Sequence, residues 1–288
     1  MYAAKAEAVG SYAIFAGAMR ENAIEALALQ NDLRQAIVDE QFALHYQPIY
    51  NPSTQTLHGV EALVRWHHPV RGSVAPSGFI PVAEEIGVIR DIGRWVMNEA
   101  CNQLSVWSEQ YPEHTLHLSI NVSASEFSHP QFLADLEAVL RATSISASRL
   151  QIEVTESVFL SNPERAGAVL EAVRRLGVRV ALDDFGTGYS ALEYIDKYEI
   201  DAIKIDRAFI ERMLTHKRTL AIVQSVLSLG KALDLAIVAE GVETWAQYNK
   251  LHAMDCPLLQ GFLLWRPMPP AEMTVVLGRS LHRARFGQ

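Results

Sequence analysis

From about residue 44 onward, short runs rich in Val, Ile and Leu alternate with longer stretches at helical period. The strand candidates are 44–50, 57–66, 116–123, 150–156, 178–185, 202–206, 235–242 and 257–263. Most of these runs carry a polar residue near their ends: Glu61 in GVEALVRW, Asn121 in HLSINVS, Glu153 in LQIEVTES, Asp183 with Asp184 in RVALDDFGTGYS. Lys204 in DAIKID, Glu240 in AIVAEGVET and Gln260 in PLLQGF complete the series. Apolar strand bodies that finish in carboxylates, an amide and a lysine are what a parallel barrel presents at one rim. Amphipathic stretches at 91–110, 130–142, 163–176 and 216–232 supply the intervening helices. Pro163 marks a helix start and Gly177 a stop. The pattern predicts an α/β protein built as a (β/α)8 barrel. Only NPSTQT joins the first two strands, whereas a parallel crossover needs about ten residues or more. The expected fold is therefore a modified TIM barrel with its first strand antiparallel.

Composition removes several function classes. A net charge of −8 and a pI near 5.7 argue against DNA or RNA as partners. The basic closing segment LHRARFGQ reads as a solvated tail. An acidic enzyme that handles an anionic phosphate needs metal ions to reverse the local sign. Cys101 and Cys256 are far apart and lack CxxC spacing, which excludes a disulfide framework and points to a reducing, cytoplasmic setting. No apolar run approaches the ~20 residues of a membrane span. The ten histidines show neither HxH nor HExxH spacing, and His67-His68 read as loop residues near the rim. Oxygen ligands then favour Mg²⁺ or Mn²⁺ over zinc.

Each candidate has a structural alternative. Glu61 is either a paired buried charge or a metal ligand, and Arg65 either its partner or a bidentate phosphate clamp. Asp183 and Asp184 face opposite ways on a regular strand, so both reach one site only where the strand ends and turns. Gly186-Thr187-Gly188 supplies that freedom, and the alternative is a pair of helix N-caps. Glu153 and Glu156 differ in parity, so one lines the site while the other braces a loop. Asn121 is a neutral oxygen ligand or a turn residue. Lys204, inside an apolar run, needs an anionic partner, and Glu240 is either that partner or part of the site.

Residues 1–43 stand outside the barrel rhythm. The segment AMRENAIEALALQNDLRQAIVDEQ is a helix candidate with Ile24, Leu27, Leu33 and Ile37 roughly on one face. It reads as a helix packed on the barrel, with a signalling linker or dimer helix as the alternative.

The series HYQPIY, EALVRW, NVS, EVTES, DDFGTGYS, KIDR, AEGVET and QGF, in order over roughly 40–275, resembles the EAL family of cyclic di-GMP phosphodiesterases. The resemblance implies a hydrolase that converts cyclic di-GMP to linear pGpG with two Mg²⁺ or Mn²⁺ ions, Ca²⁺ being inhibitory. It implies Glu61, Asn121, Glu153, Asp183 and Asp184 as metal ligands. Lys204 matches the lysine that holds the attacking water, and Glu240 the glutamate supporting that water or the second ion. Glu61 counts among the catalytic residues, with Glu156 anchoring the loop from Asp183 to Ser190. Gln47, Leu63, Arg65 and Gln260 match dinucleotide contacts. Departures are small: GYSA stands where GYSS is common, and Phe262 where Tyr is frequent. A homodimer is implied through the segment after Asp184. MYAAKAEAVGSYAIF resembles the tail of a GGDEF domain, the cyclase module that often precedes EAL. The expected organisation is thus a GGDEF remnant at 1–16, a helical linker at 17–40 and the barrel at 41–280. Upstream GGDEF or sensor domains would belong to the full-length protein, and any membrane anchor would lie there.

Overall fold

The short NPSTQT connection closes a hairpin, and the direction of the first strand follows from it. The structure is a computed structural model, which describes residues 17–186 and 191–280. Its strands are β1 (Phe42–Asn51), β2 (Thr56–His68), β3 (Gly72–Val74), β4 (His117–Asn121), β5 (Leu150–Thr155), β6 (Arg179–Phe185), β7 (Ala202–Ile205), β8 (Ala236–Ala239) and β9 (Leu258–Leu259). They are ordered β1-β9-β8-β7-β6-β5-β4-β2-β3, and a β1–β2 pairing closes the ring. β2 and β4 through β9 run parallel, while β1 meets β9 antiparallel at Tyr50↔Leu259. The barrel therefore has eight strands with the first reversed, and β3 is a short addition beside β2.

Alternation decides which side chains face inward. Leu118, Ile120, Leu150, Ile152, Val180, Leu182, Ile203 and Ile237 are all buried. They have the opposite parity to the site residues and so face the surrounding helices. Those helices include Phe132–Thr143, Pro163–Arg175 and Lys217–Leu233. Inside the barrel, Ile49, Val238 and Leu258 form an apolar layer with Ala236. Pro163 starts its helix with Asn162 as cap, whose side chain accepts from Arg165 N at 3.0 Å. Gly177 follows that helix at φ +86°, a value that favours glycine.

Contacts divide the chain into two compact units, one containing the chain up to Phe42 together with Trp66–Ile89, the other Ala43–Arg65 and the chain from Arg90. In the smaller unit, the helix Gly17–Ala36 buries Leu33 and Ala36. An aromatic cluster of Phe42, Trp66 and Phe79 has centroid separations of 5.7–6.0 Å. His67 and His68 are strand residues rather than loop residues, because pairing with β3 carries β2 through His68. His68 is buried and lies 3.0 Å from Asp32. Several expected strands are shorter than the apolar runs. β8 stops at Ala239 and β9 at Leu259, with Gly241 at φ +67° turning the chain. Residues 1–16 and 281–288, and with them the GGDEF-like segment and the basic tail, lie outside the described residues.

Candidate active site

The inward parity that made the polar residues conspicuous in the sequence gathers them at the carboxyl ends of the parallel strands. Lys204 on β7 is at the centre and only 1% exposed. Its Nζ lies 2.6 Å from Glu153 Oε2, 2.6 Å from Glu240 Oε1, 3.3 Å from Glu61 Oε2 and 3.5 Å from Asp183 Oδ1. Burial alone would strip the ammonium of its proton, but these carboxylates hold its pKa well above the usual lysine range. The ammonium is fixed as a cation and donates hydrogen bonds.

Glu61 is the best-solvated carboxylate by protein donors. Asn121 Nδ2 donates to its Oε1 at 2.6 Å and Gln260 Nε2 to its Oε2 at 2.7 Å. Burial works against its charge, yet Lys204 and the two amides outweigh burial and lower its pKa. Asn121 keeps its own Oδ1 for another group. Glu153, 1% exposed, is pushed well above the carboxylate range by burial, against the pull of Lys204 and with Glu61 and Asp183 adding repulsion. Behind it Gln151 Nε2 reaches Ser119 Oγ at 3.1 Å and Glu153 Oε1 at 3.5 Å. Glu240 is raised to about 8 by burial, with Lys204 opposing and Asp183 and Glu61 reinforcing.

Asp183 and Asp184 reach one place through a break in the strand. The β6–β7 register shifts between Leu182 and Phe185, Asp184 takes φ +51° and Gly186 φ +95°. The left-handed turn of Asp184 brings both carboxylates to the same side. Asp183 Oδ1 accepts from Asp184 N at 2.9 Å, and neither aspartate caps a helix. One carboxylate oxygen each from Asp183, Asp184 and Glu240 lie within 4.8 Å of one another. Burial, then Asp183 and Asp206, raise Asp184 to about 6, and its carboxyl hydrogen-bonds that of Asp206. Two carboxyls at that distance need a proton or a cation between them.

Glu156 follows β5 as the residue before the helix Ser157–Ser161, and its Oε1 is buried with no hydrogen-bond partner among the described residues. The loop it was expected to brace includes residues 187–190, which lie outside the described residues. Gln47 Nε2 donates to the Trp265 carbonyl at 3.0 Å, and its Oε1 accepts from Gln260 Nε2 at 3.2 Å. Gln260 Oε1 is buried without a partner. Leu63 and Arg65 are half-buried on β2 beyond Glu61. Arg65 Nη1 donates to the Val64 carbonyl at 2.9 Å, and burial lowers its pKa, Glu61 opposing. The alternative of a structural pair is met for Glu240 and Lys204, which are in contact here.

Sequence reasoning passed over Asp206, Gln151 and Ser119. Each lies two residues from a chosen residue on the same strand or its end, so period-2 parity could have found them. Asp206 also accepts from Ala208 N at 2.9 Å as cap of the helix Arg207–Arg212. The donor set fits a divalent cation: it is oxygen-only, four of its carboxylates contact one ammonium, and the oxygens of Asp183, Asp184 and Glu240 converge.

Comparison with known proteins agrees with this geometry. The EAL domain model matches residues 30–267. The bifunctional diguanylate cyclase/cyclic di-GMP phosphodiesterase MucR of Pseudomonas aeruginosa is 41% identical over 273 residues, 95% of this chain and 40% of that protein. The cyclic di-GMP phosphodiesterase NbdA of the same organism is 38% identical over 251 residues, 87% of this chain and 32% of that protein. The chain thus spans about a third to two fifths of these curated relatives. A solved structure described as the PaMucR phosphodiesterase in complex with c-di-GMP superposes with a TM-score of 0.82 at 41% identity, covering 85% of this chain and 99% of that one. With a matching family model over most of its length and these relatives, the chain belongs to the EAL domain family.

Proposed function

We propose that this protein is a metal-dependent phosphodiesterase that hydrolyses cyclic di-GMP to linear pGpG and so lowers the level of this messenger. The observation that carries the reading is the convergence of Asp183, Asp184 and Glu240 beside the Lys204–Glu61–Glu153 cluster. Its support is the likeness to MucR and NbdA, both cyclic di-GMP phosphodiesterases by name. Glu61, Asn121, Glu153, Asp183 and Asp184 would hold two divalent ions, Mg²⁺ or Mn²⁺, with Ca²⁺ inhibitory. When bound, such ions supply Lewis-acid polarisation of the phosphodiester and a more acidic water.

The chain's own residues do the rest. Lys204 Nζ holds Glu61, Glu153 and Glu240 in one arrangement and donates to an oxygen placed among them. Glu240 Oε1, hydrogen-bonded to Lys204 and free of amide donors among the described residues, takes the proton of the attacking water. Gln47, Leu63, Arg65 and Gln260 orient the dinucleotide, Arg65 through its guanidinium and Gln260 through its unpartnered Oε1. Glu156 braces the segment after Asp184.

The reading extends to assembly. On this reading the sequence of residues 1–16, which resembles a GGDEF tail, belongs to a longer protein with upstream regulatory domains, a reading supported by the likeness to the bifunctional MucR, of which this chain covers 40%. A homodimer forms through the helix Ala191–Lys197, which exposes Leu192. The reaction takes place in the cytoplasm, and no helix of the described residues is long and apolar enough to cross a membrane. The test is incubation with cyclic di-GMP and Mg²⁺ or Mn²⁺, with EDTA and Ca²⁺ controls, followed by chromatography. Metal-dependent pGpG is the expected product. Binding without turnover in either metal would replace the enzyme with a receptor.

A further inference from the structure

The opposite end of the barrel carries a second, oppositely charged cluster. His58 of β2 and His117 of β4 stack with ring centroids 4.6 Å apart and planes 14° from parallel. Arg179 opens β6 and Arg149 immediately precedes β5. Strand register brings them together: Gly59 pairs with His117, and Gln151, two residues after Arg149, pairs with Arg179. Arg179 lies near enough to act electrostatically on both rings, and Arg149 on His117. His117 and Asn121 are four positions apart, as are Arg179 and Asp183. That places the cluster roughly 13 Å along the strands from the carboxylates, at about 3.3 Å per residue.

The bonding of this cluster is incomplete. Arg149 Nε donates to the Leu116 carbonyl and Nη1 to Ser108 Oγ, each at 2.8 Å, but Nη2 is buried with no partner. The His117 ring bonds the Ser148 backbone, while its Nδ1 is buried with no partner. Among the described residues, none of the four side chains is in an ion pair with a carboxylate. Burial first, then the neighbouring positive charges, depress both histidines, His58 to about 4. With no carboxylate beside them among the described residues, the guanidiniums keep an uncompensated charge, and the unmade bonds of Arg149 Nη2 and His117 Nδ1 cost free energy until a partner supplies them. Two guanidiniums also reject a metal cation, although two imidazoles are present.

We propose that Arg149, Arg179, His58 and His117 form a binding site for a phosphate group at the amino-terminal end of the barrel. A tetrahedral oxyanion offers acceptors to the free Arg149 Nη2, to the Arg179 guanidinium and to the imidazoles, and it supplies the missing counter-charge. Free inorganic phosphate and a phosphomonoester share this chemistry. The site is independent of the proposed hydrolysis.

The test is titration of the EDTA-treated protein with inorganic phosphate at constant ionic strength against chloride, followed by thermal unfolding and by ¹⁵N resonances of the histidine side chains. Phosphate is expected to raise the melting temperature and to move the His58 and His117 signals selectively. Arg179→Gln and Arg149→Gln are expected to weaken binding at least roughly tenfold, as loss of a charge-assisted hydrogen bond does, while Arg179→Lys retains most of it. A 5′-mononucleotide binding more tightly than phosphate would assign a phosphomonoester, and equal affinity would assign free phosphate. No effect of phosphate beyond chloride would leave an ordered water as the partner and overturn the proposal. So would undiminished binding in both glutamine variants. Should those variants fail to fold, the wild-type histidine signals decide: shifts confined to other histidines refute the site.

Discussion

Replacing Lys204 by Met removes the cation at the centre of the carboxylate cluster while keeping much of the buried volume. Two carboxylates lie 2.6 Å from its Nζ and two more at 3.3 and 3.5 Å. Removing one member of a buried ion pair costs about 3–5 kcal/mol, because the partner is left uncompensated. Here the survivors can neutralise themselves by binding protons, since Glu240 is already raised to about 8 and Glu153 is raised by burial. The penalty therefore depends on pH. Near pH 5 Glu153 and Glu240 hold their protons without help, and the deficit should shrink to about 1 kcal/mol or less. Near pH 8 they must charge or hold protons against the solvent, and the full about 3–5 kcal/mol should appear. At about 2–4 °C per kcal/mol for a chain somewhat smaller than this, that is roughly 6–20 °C in melting temperature. Unfolding followed by circular dichroism in EDTA at the two pH values measures the difference, and added Mn²⁺ should recover much of it by replacing the lost charge. A deficit that is the same at both pH values would mean that lost packing, not charge, was removed. No deficit near pH 8 would refute the account of the cluster altogether. Turnover should fall at least roughly 100-fold in either case.

Other perturbations address single features. Glu61→Ala should lower turnover of cyclic di-GMP by at least roughly 100-fold in metal-replete buffer, and a variant keeping a large share of wild-type rate would remove Glu61 from the ligand set. Metal stabilisation, read as the melting-temperature rise on adding Mn²⁺, should grow from about pH 5.5 to above 8. Asp184, raised to about 6, must lose its proton to bind, and Glu240 beside the ions, raised to about 8, gives up its own as the cations approach. The metal-free protein should drift the other way: a raised carboxyl stabilises the fold below its unfolded pKa and loses that contribution as pH rises through its folded value. Gly261→Ala would drive a Cβ into the backbone of Val242, costing about 1–3 kcal/mol and displacing the neighbouring Gln260, measurable as a lower denaturation midpoint with a higher KM. Glu156→Gln should weaken metal dependence and rate together. An unchanged metal titration and rate would separate Glu156 from the segment after Asp184.

Much of the site was legible because strand parity is a one-dimensional property. Glu61, Asn121, Glu153 and Lys204 occupy inward positions on strands whose outward residues are Leu118, Ile120, Ile152, Ile203 and their like, and period 2 separates the two sets without any coordinates. The reversed first strand was equally local, since six residues cannot carry a parallel crossover. The pairing of Asp183 with Asp184 was conditional in the sequence. Adjacent residues share a face only through a bulge, and the positive φ of Asp184 is imposed by the register against β7. The extension of β2 through His68 depended on a partner strand, and the early ends of β8 and β9 on where the chain turned away from its neighbours. That Lys204 would stand among four carboxylates, Glu240 included, could not be read from spacing, because the strands that carry them meet only when the barrel closes. The same closure assembles His58, His117, Arg149 and Arg179 at the other end, four residues with no local signature at all. Local alternation determined which residues point inward; only long-range strand pairing decided which of them touch, and that contact is what sets their charges.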